Sequence, residues 1–406
     1  MIVLVLNCGS SSVKFGLMAV DSGAVNRDQH RWLARGTIEE IGGQAGVAFE
    51  AEGHPELRES GPVPDHEAAV RRAIGWVRSL PASVGGPRAG LEAVGHRVVH
   101  GGERFSRPVI IDDEVVEAIE ELDDLAPLHN GPSLAGIRAC RAALGRDVPM
   151  VAVFDTAFHA TLPEHAYRYA IPYDLSLRHG IRRYGFHGTS YRYVLSRYCA
   201  MTGTPPRDAT LVALHLGNGS SAAAIRNGRS VDTSMGFTPL EGLVMGTRSG
   251  DLDPALVDYL VRKEKVSSTE VERWLNERSG LMGISGRSAD MRALLARQHD
   301  DPRARLAVDL FCYRARKYVG AYLAALGGAQ AVVFSGGIGE GAPEVRARIC
   351  EDLVWCGLEL DPARNAGVVG REARVSADSA RMHAYVIPTD EELVIAQDTV
   401  ECLAAG

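Results

Sequence analysis

The sequence predicts an α/β protein built from two related halves. Its 406 residues exceed what one ordinary hydrophobic core organises, so two domains are expected. Apolar, β-prone runs alternate with amphipathic segments along the chain, which is typical of α/β folds. A strand, a Gly/Ser turn and a second strand also occur twice, at 4–16 and 214–226. This repetition favours an internal duplication. It also argues against a doubly wound nucleotide fold, in which such turns lead into helices.

The first half begins with strands and continues with helices. An unbroken β-prone run predicts a buried strand at 2–6, and a second buried strand is predicted at 150–154. Strand-like patterns predict further strands at 13–20, 31–38 and 94–99. Helical spacing of apolar residues predicts helices at 65–77, 112–122 and 131–144. Asp65 is placed as the N-cap of the first helix. Residues 40–64, rich in Gly, Pro and Glu, are predicted to form a hairpin or loop insertion.

The second half repeats the alternation. Strands are predicted at 211–216, 222–226, 331–334 and 385–387. Helices are predicted at 187–200, 254–263, 269–277, 288–298, 302–326, 343–352 and 391–404. Asn227 and Gly228 form a dipeptide that is typical of a hairpin turn.

Composition excludes several classes of protein. The net charge of −7 argues against a nucleic-acid binder held by a general basic surface. Seven scattered cysteines without a C-x-x-C pair favour a reducing cytosol over a disulfide framework. No apolar stretch approaches the ~20 residues that span a bilayer. We therefore expect a cytosolic protein without a membrane partner.

Three glycine-rich segments follow predicted buried strands, at 7–12, 217–221 and 335–341. Glycine lets backbone N–H groups approach an anion closely. One such turn indicates little, but three together indicate a polyphosphate site. The sequence contains no G-x-x-x-x-G-K-[ST] run, and the segment after 217–219 reads as a strand, so neither a Walker loop nor a dinucleotide fingerprint fits.

Charged residues near strand ends and in polar turns are the candidates for chemistry. They are Arg97, Asp155, His187, Arg248 and Glu391. Phosphoryl transfer requires positioning and charge neutralisation more than covalent help, which suits this set. Each residue also has a local interpretation.

The local interpretations involve ordinary structural roles. Arg97 could pair with Glu103, His187 could be satisfied at its helix terminus, and Asp155 could cap a turn. Glu391 could favour its helix N-terminus by charge alone.

The nature of the phosphoryl acceptor remains open at this level. A sugar hydroxyl needs a general base, which Asp155 could supply. A carboxylate acceptor is already ionised at neutral pH and needs positive charge instead. Arg97 and Arg248 suit the second case, in which Asp155 is more useful on Mg²⁺, directly or through water.

The sequence resembles the acetate kinase family along its whole length. The segments that carry the resemblance are 6–14, 95–103, 127–130, 154–159, 184–189, 215–221, 245–251, 337–340 and 389–392. This resemblance implies two duplicated actin-like (ribonuclease H-like) domains with a nucleotide cleft between them. The first domain would comprise residues 1–155 and 385–406, and the second residues 156–384.

The resemblance also implies a reaction. Family members transfer the γ-phosphoryl of ATP to acetate, giving acetyl phosphate and ADP, with Mg²⁺ or possibly Mn²⁺, usually as homodimers. The catalytic residues it implies are Asn7, Arg97, Asp155, His187 and Arg248. Asn7, Asp155 and Glu391 would organise the metal ion.

Ligand-binding residues follow from the same resemblance. The nucleotide and its phosphates would contact Ser10, Ser12, Lys14, His215, Leu216, Gly217, Asn218, Gly219, Asp290, Met291, Arg292, Gly337, Ile338, Gly339 and Gly341. The acyl group would contact Arg97, Val99, Leu128, Phe186 and Pro239. Gly341 stands where the family usually has Asn, and this substitution bears on nucleotide preference.

Two alternatives remain beside the acetate kinase interpretation. A propionate or butyrate kinase would use the same chemistry, and a methylene changes pocket binding by only about 1–3 kcal/mol. An actin-like or chaperone-like ATPase would hydrolyse ATP without an acyl acceptor.

Overall fold

The computed structural model describes residues 1–20, 30–81, 90–122 and 130–405. Contacts divide the chain into two compact units, Met1–Phe158 with Asp390–Gly406, and His159–Thr389. The sequence placed these boundaries at 155/156 and 384/385. The difference at the second boundary has a simple cause, because residues 383–386 form a strand paired within the second unit.

The first unit is built on an eight-stranded sheet with the order β5-β4-β3-β2-β1-β6-β8-β7. Its strands are β1 (Ile2–Cys8), β2 (Ser12–Val20), β3 (His30–Glu39), β4 (Gly43–Ala51), β5 (Leu57–Val63), β6 (Ala93–Val98), β7 (Val109–Ile110) and β8 (Met150–Phe154). Strands β1 to β5 form an antiparallel meander, and β6 and β8 extend it in parallel from β1. The hairpin expected at 40–64 is therefore present.

Helices cover both faces of this sheet. They are α1 (His66–Ser79), α2 (Asp113–Glu121), α3 (Asn130–Leu144) and, from the chain's end, Glu391–Ala405. Asp65 caps α1 by accepting a hydrogen bond from Ala68 N at 2.8 Å, as predicted. One core joins α1 and α3 to alternate strand residues such as Leu4, Leu6 and Val94. The C-terminal helix packs against the other face, where its Ile395 and Thr399 meet Gly95.

The second unit contains a six-stranded sheet with the order β11-β10-β9-β12-β14-β13. Its strands are β9 (Thr210–Leu216), β10 (Ser220–Arg226), β11 (Arg229–Thr233), β12 (Ala331–Ser335), β13 (Ala373–Arg374) and β14 (His383–Val386). The β10–β11 hairpin turns at Asn227 and Gly228, whose φ angles of 52° and 74° suit the predicted tight turn.

Helices of the second unit surround that sheet. They are α4 (Glu164–Tyr167), α5 (Tyr173–Arg178), α6 (Gly188–Thr202), α7 (Ala255–Glu264), α8 (Ser268–Glu277), α9 (Gly280–Ser285), α10 (Met291–Arg297), α11 (Pro302–Leu326), α12 (Gly336–Gly341), α13 (Pro343–Cys350) and α14 (Pro362–Ala366), and the C-terminal helix of the first unit is α15. Short 3₁₀ turns occur at Ala157–Thr161, Pro206–Asp208 and Val354–Cys356. Helix α11 begins and ends where the sequence predicts, since Asp301 caps it and Gly327 ends it.

The two sheets share one topology, which supports the predicted duplication. In each unit an antiparallel hairpin opens the sheet, its first strand pairs in parallel with a later strand, and that strand pairs in parallel with another. The matching orders are β3-β2-β1-β6-β8-β7 and β11-β10-β9-β12-β14-β13. The last strand of each series is antiparallel to its neighbour.

Two local predictions were wrong. Residues 335–341 do not form an open turn, because Ser335 ends β12 and Gly336–Gly341 form helix α12. The helix predicted from residue 288 begins only at Met291, since Asp290 acts as its N-cap and ends the preceding turn. The short helix α9 carried too few periodic apolar residues to be predicted.

Candidate active site

In the first unit, the fold gathers polar side chains at the carboxyl ends of β1, β6 and β8. Asn7 and Arg97 lie on neighbouring parallel strands, and Asp155 follows β8 directly. Alternation along β6 places Arg97 on the same face as Gly95, which is the face that α15 covers. Glu391, the first residue of α15, belongs to the same neighbourhood.

Arg97 is held by two partners. Its Nε and Nη2 donate to the two carboxylate oxygens of Asp155 at 2.9 and 2.5 Å, and its Nη1 donates to Asn7 Oδ1 at 3.0 Å. The side chain of Asp155 is only 2% exposed. Burial alone would lower the pKa of Arg97, but the charge and hydrogen bonds of Asp155 raise it overall. The local pairing of Arg97 with Glu103, considered from sequence, is therefore replaced by a pairing with Asp155.

Further charges surround this pair. Glu391 and Glu392 act on Arg97 electrostatically and add to the rise in its pKa. Burial, with the charges of Glu391 and Asp390, raises the pKa of Glu392, while Lys14 opposes that shift. Lys14 lies directly across from Asn7 in the β1–β2 ladder and is exposed. Acidic side chains thus outnumber the basic side chains Arg97 and Lys14 in this group of residues.

These oxygen donors suit a hard cation such as Mg²⁺. Asn7 offers an amide oxygen, and Asp155 and Glu391 offer carboxylates. Within the described residues, no group of three or more His, Cys, Asp or Glu could hold a metal by itself. Mg²⁺ usually keeps several waters and binds through one or two carboxylates plus substrate phosphates, so the set fits it.

The first glycine-rich turn joins β1 to β2. Gly9 N donates to Ser12 O at 2.8 Å, and the ring of His66 lies 2.6 Å from Gly9 O through Nε2. Ser10 is exposed and Ser12 half-buried. Cys8, just before the turn, packs in the core, and burial raises the pKa of its thiol to about 12, as expected of a structural cysteine.

In the second unit, Arg248 differs sharply from Arg97. Its side chain is half-buried, yet no carboxylate of the described residues lies within ion-pair distance of it. Its Nη1 reaches Pro239 O at 3.4 Å, and burial lowers its pKa. A partly desolvated guanidinium without an acidic partner is costly and attracts an anion.

The backbone around Arg248 is fixed tightly. Met245 N donates to Arg248 O at 3.2 Å. Gly280 packs so closely that a β-carbon there would lie 2.2 Å from Met245 O and 2.6 Å from Arg248 O. The φ of Gly280 is also +58°, so both the close packing and the left-handed backbone conformation require glycine at this position. The arginine is therefore presented by a rigid loop.

The second glycine-rich turn lies beside that loop. Gly217 N donates to Gly219 O at 3.0 Å, and Asn218 O accepts from Gly246 N at 2.9 Å. The structure thus brings the predicted phosphate turn at 217–221 next to the segment that carries Arg248. His215 and Leu216, at the end of β9, lead into this turn, and His215 lies against the ring of His187 with centroids 4.4 Å apart.

The other predicted nucleotide residues lie in two segments of the second unit. Asp290 and Arg292 are exposed and paired with each other at 3.1 Å, whereas Met291 is buried in the core. Gly337, Ile338, Gly339 and Gly341 lie in helix α12. Their contacts with a nucleotide stay predictions.

The predicted acyl-binding residues are divided between the units. Val99 is half-buried after β6 in the first unit. Phe186 is buried and Pro239 half-buried in the second unit. Leu128 lies outside the described residues.

Sequence reasoning missed a polar network that joins Tyr169 and Arg183 to the segment 237–241. Arg183 Nη2 donates to Glu241 Oε1 at 2.7 Å, and the hydroxyl of Tyr169 donates to Glu241 Oε2. Tyr169 Oη accepts from Phe237 N at 2.8 Å. Nothing in sequence spacing links these residues, which lie up to 72 positions apart.

Comparisons with known proteins bear on this site. A family model described as "Acetokinase family" matches residues 2–397 of the chain. The chain is 55% identical over 405 residues to a protein named acetate kinase from Solibacter usitatus (strain Ellin6076), covering 99% of this chain and 98% of that one. The chain belongs to the acetokinase family. The family predicted from the sequence is thus confirmed.

Similar solved structures agree with this membership. Acetate kinase from Porphyromonas gingivalis is 41% identical with a TM-score of 0.89, covering 99% of both chains. A propionate kinase from Francisella tularensis is 38% identical with the same TM-score, covering 98% of this chain and 99% of that one. The α/β fold with two actin-like domains is confirmed. Of the described helices, none combines the length and apolar character that crossing a membrane requires.

Proposed function

We propose that the protein is an acetate kinase, which reversibly transfers the γ-phosphoryl of ATP to acetate and yields acetyl phosphate and ADP. The single observation that carries this proposal is the half-buried guanidinium of Arg248, which lacks an acidic partner in the described part of the chain. Such a group is suited to a small anion or to charge that develops during phosphoryl transfer. Membership of the acetokinase family supports the same reaction.

The proposed transfer is direct and in line. One acetate oxygen forms a bond to the γ-phosphorus while the bond from that phosphorus to the β,γ-bridging oxygen breaks, and ADP leaves with its electrons. No proton has to be removed, because acetate is ionised at neutral pH. This agrees with the binding of both Asp155 oxygens to Arg97, an arrangement that suits a fixed charge better than a free base.

The roles of individual residues follow this chemistry. Arg97 and Arg248 would bind the carboxylate and the transferred phosphoryl, and His187 would donate a hydrogen bond to that phosphoryl. Asn7 and the turn at 217–219 would contact the phosphates, together with Ser10, Ser12, Lys14 and His215. Residues 290–292 and helix α12 would border the adenosine. Charge neutralisation by such groups is the main contribution a protein makes to phosphoryl transfer.

A magnesium ion fits the first unit's acidic residues. Glu391 and Asp155 would hold Mg²⁺, in part through water, with Asn7 beside them. When bound, the ion would neutralise charge on the β- and γ-phosphates. Mn²⁺ has similar oxygen preferences and could replace it.

Propionate is the second candidate acceptor, because the similar structure from Francisella tularensis is named a propionate kinase. Val99, Phe186 and Pro239, with Leu128, would line the acyl pocket. An added methylene changes binding by about 1–3 kcal/mol, so preference should be graded. We expect acetate to be used best, propionate more slowly and butyrate least.

Acyl phosphate formation tests this proposal. The purified protein is incubated with Mg-ATP and acetate, propionate or butyrate, and the product is trapped as the hydroxamate. Acetate-dependent hydroxamate supports the proposal, and a larger kcat/KM for propionate would make the protein a propionate kinase. ADP release that does not depend on any acid would instead indicate an ATPase.

Two further features belong to the proposal. We place the reaction in the cytosol, because the cysteines of the chain are free thiols, several of them buried. We also expect a homodimer, as the family resemblance implies. Light scattering after size exclusion measures this, since a monomer has a mass of 43.6 kDa.

A further inference from the structure

The backbone of His187 has an unusual conformation. His187 precedes α6 and has a φ of 58°, in the left-handed region that few residues other than glycine adopt. Such positions are strained and persist where the surrounding structure enforces them. Here the enforcing contacts include a tilted stack on the ring of His215, with an interplanar angle of 33°.

One nitrogen of this ring belongs to a buried hydrogen-bond chain. Nδ1 of His187 lies 2.8 Å from Ser221 Oγ, and Ser221 Oγ lies 2.5 Å from Tyr191 Oη. Ser221 and Tyr191 are both fully buried. Tyr191 N donates to His187 O at 3.0 Å, so the residues at both ends of this hydrogen-bond chain belong to the first turn of α6. Ser221, on β10, bridges them.

The second nitrogen faces the predicted phosphate turn. A β-carbon placed on Gly219 would lie 3.5 Å from Nε2 of His187. Glycine therefore leaves room beside this nitrogen at the tip of the 217–221 turn. The two nitrogens thus have separate surroundings, one buried and hydroxyl-lined, the other beside the turn.

We propose that Ser221 and Tyr191 are positioning residues that keep neutral His187 protonated on Nε2. The hydroxyl of Tyr191 donates to Ser221 Oγ, and the hydroxyl of Ser221 donates to Nδ1. Nδ1 then acts as an acceptor, and the ring proton resides on Nε2, where it can be donated to a phosphoryl oxygen. This inference rests on the role of His187 in the proposed function.

Two properties of Tyr191 support that direction. Burial raises the pKa of its hydroxyl, so it keeps its proton at neutral pH. The backbone of His215 hydrogen-bonds the same oxygen and fixes its place. A histidine used only as a helix-terminal residue would not need a buried hydroxyl pair behind its ring.

A double-mutant cycle tests the inference kinetically. Ser221→Ala should lower kcat about tenfold, and Tyr191→Phe by less, with the KM for acetate and ATP nearly unchanged. In a His187→Ala background, Ser221→Ala should cause no further loss, because the two residues act through one ring. Tyr193→Phe removes the hydroxyl of another buried tyrosine of the same helix; it is the matched control and should leave kcat unchanged.

A loss of kcat from Ser221→Ala that persists unchanged in the His187→Ala background would overturn the inference, because it would reveal a structural role. Nitrogen-15 NMR of histidine-labelled protein provides a readout apart from activity. The signals lost in His187→Ala assign the ring, and we expect the Nε2–H tautomer in the wild type and a mixture in Ser221→Ala. Observation of Nδ1–H in the wild type would refute the positioning role. A normal kcat for His187→Ala would instead refute the catalytic role in the proposed function.

Discussion

The guanidinium of Arg97 donates two hydrogen bonds to the carboxylate of Asp155, at 2.9 and 2.5 Å, in a site where Asp155 is almost fully buried. Asp155 therefore fixes the direction in which the arginine points. Arg248 has no such partner among the described residues. Arg97 is therefore already neutralised by a carboxylate, whereas Arg248 can bind an anion. The first two predictions depend on this difference.

Asp155→Asn should weaken both stability and activity. The substitution removes the counter-charge from a buried pair, which costs about 3 kcal/mol of unfolding free energy. Because Arg97 then loses its orientation, kcat should fall about 100-fold or more. Urea unfolding and the hydroxamate assay measure the two effects. Asp113→Asn, which affects an exposed carboxylate paired with Arg141 and Arg146, is the control and should change neither quantity. Equal effects of both substitutions would contradict the assigned role.

The two arginines should respond oppositely to removal of their charge. Arg248→Met keeps apolar bulk but removes a partly desolvated charge that has no acidic partner among the described residues, so the free energy of unfolding should stay constant or rise. Arg97→Met should instead destabilise the fold, because Asp155 is left buried and unpaired. Both substitutions should lower kcat about 1,000-fold. Urea unfolding would contradict this account if Arg248→Met proved the more destabilising of the two.

Glu392 makes the stability depend on pH. Burial, with Glu391 and Asp390 nearby, raises its pKa in the folded protein. Between the unfolded and folded pKa values the native state binds more protons, so this residue's contribution to stability falls as pH rises through that window. Glu392→Gln should therefore increase the free energy of unfolding at pH 7. The gain should vanish below about pH 4, where the glutamate is protonated in both states. A gain of equal size at pH 3.5 and pH 7 would exclude a titration effect.

Gly341 offers a test of nucleotide binding. It ends helix α12, and a β-carbon there would meet nothing within 4 Å. Gly341→Asn, which introduces the residue that the family resemblance implies at this position, should therefore fold normally. We expect it to lower the KM for ATP with little change in kcat, since added contacts would bind substrate and transition state alike. Competition among ATP, GTP and ITP measures the preference, and unaltered KM values for all three would remove Gly341 from the nucleotide site.

Much of the fold was accessible from sequence because the signals were local. Strand β8 and helix α11 are bounded as predicted, since apolar runs and the caps at Asp301 and Gly327 mark their ends. Helix α12 was missed because glycine-rich segments read as turns, although packing against β9 and β12 makes this one helical. Propensity is a weak signal where tertiary contacts decide.

The residue types of the candidate site could be predicted from the sequence, but the hydrogen-bond and ion-pair partners of its side chains could not. The carboxyl ends of parallel strands meet at one edge, so Asn7, Arg97 and Asp155 could be expected together. The choice of Asp155 over Glu103 as the partner of Arg97 depends on sheet register, which spacing does not reveal. Tyr191 carried a usable signal, because it lies four residues from His187 on a predicted helix. Ser221 could be placed only once β9 and β10 were paired.

The central claim is that Arg248, a half-buried arginine with no acidic partner among the described residues, allows a carboxylate to accept the γ-phosphoryl. Its most direct test measures ADP and acyl phosphate together while acetate is titrated, in the wild type and in Arg248→Met. The account predicts one acyl phosphate per ADP in the wild type, with both products rising with acetate and both nearly abolished in the variant. ADP formation without acyl phosphate, or an Arg248→Met protein that retains wild-type turnover, would contradict it.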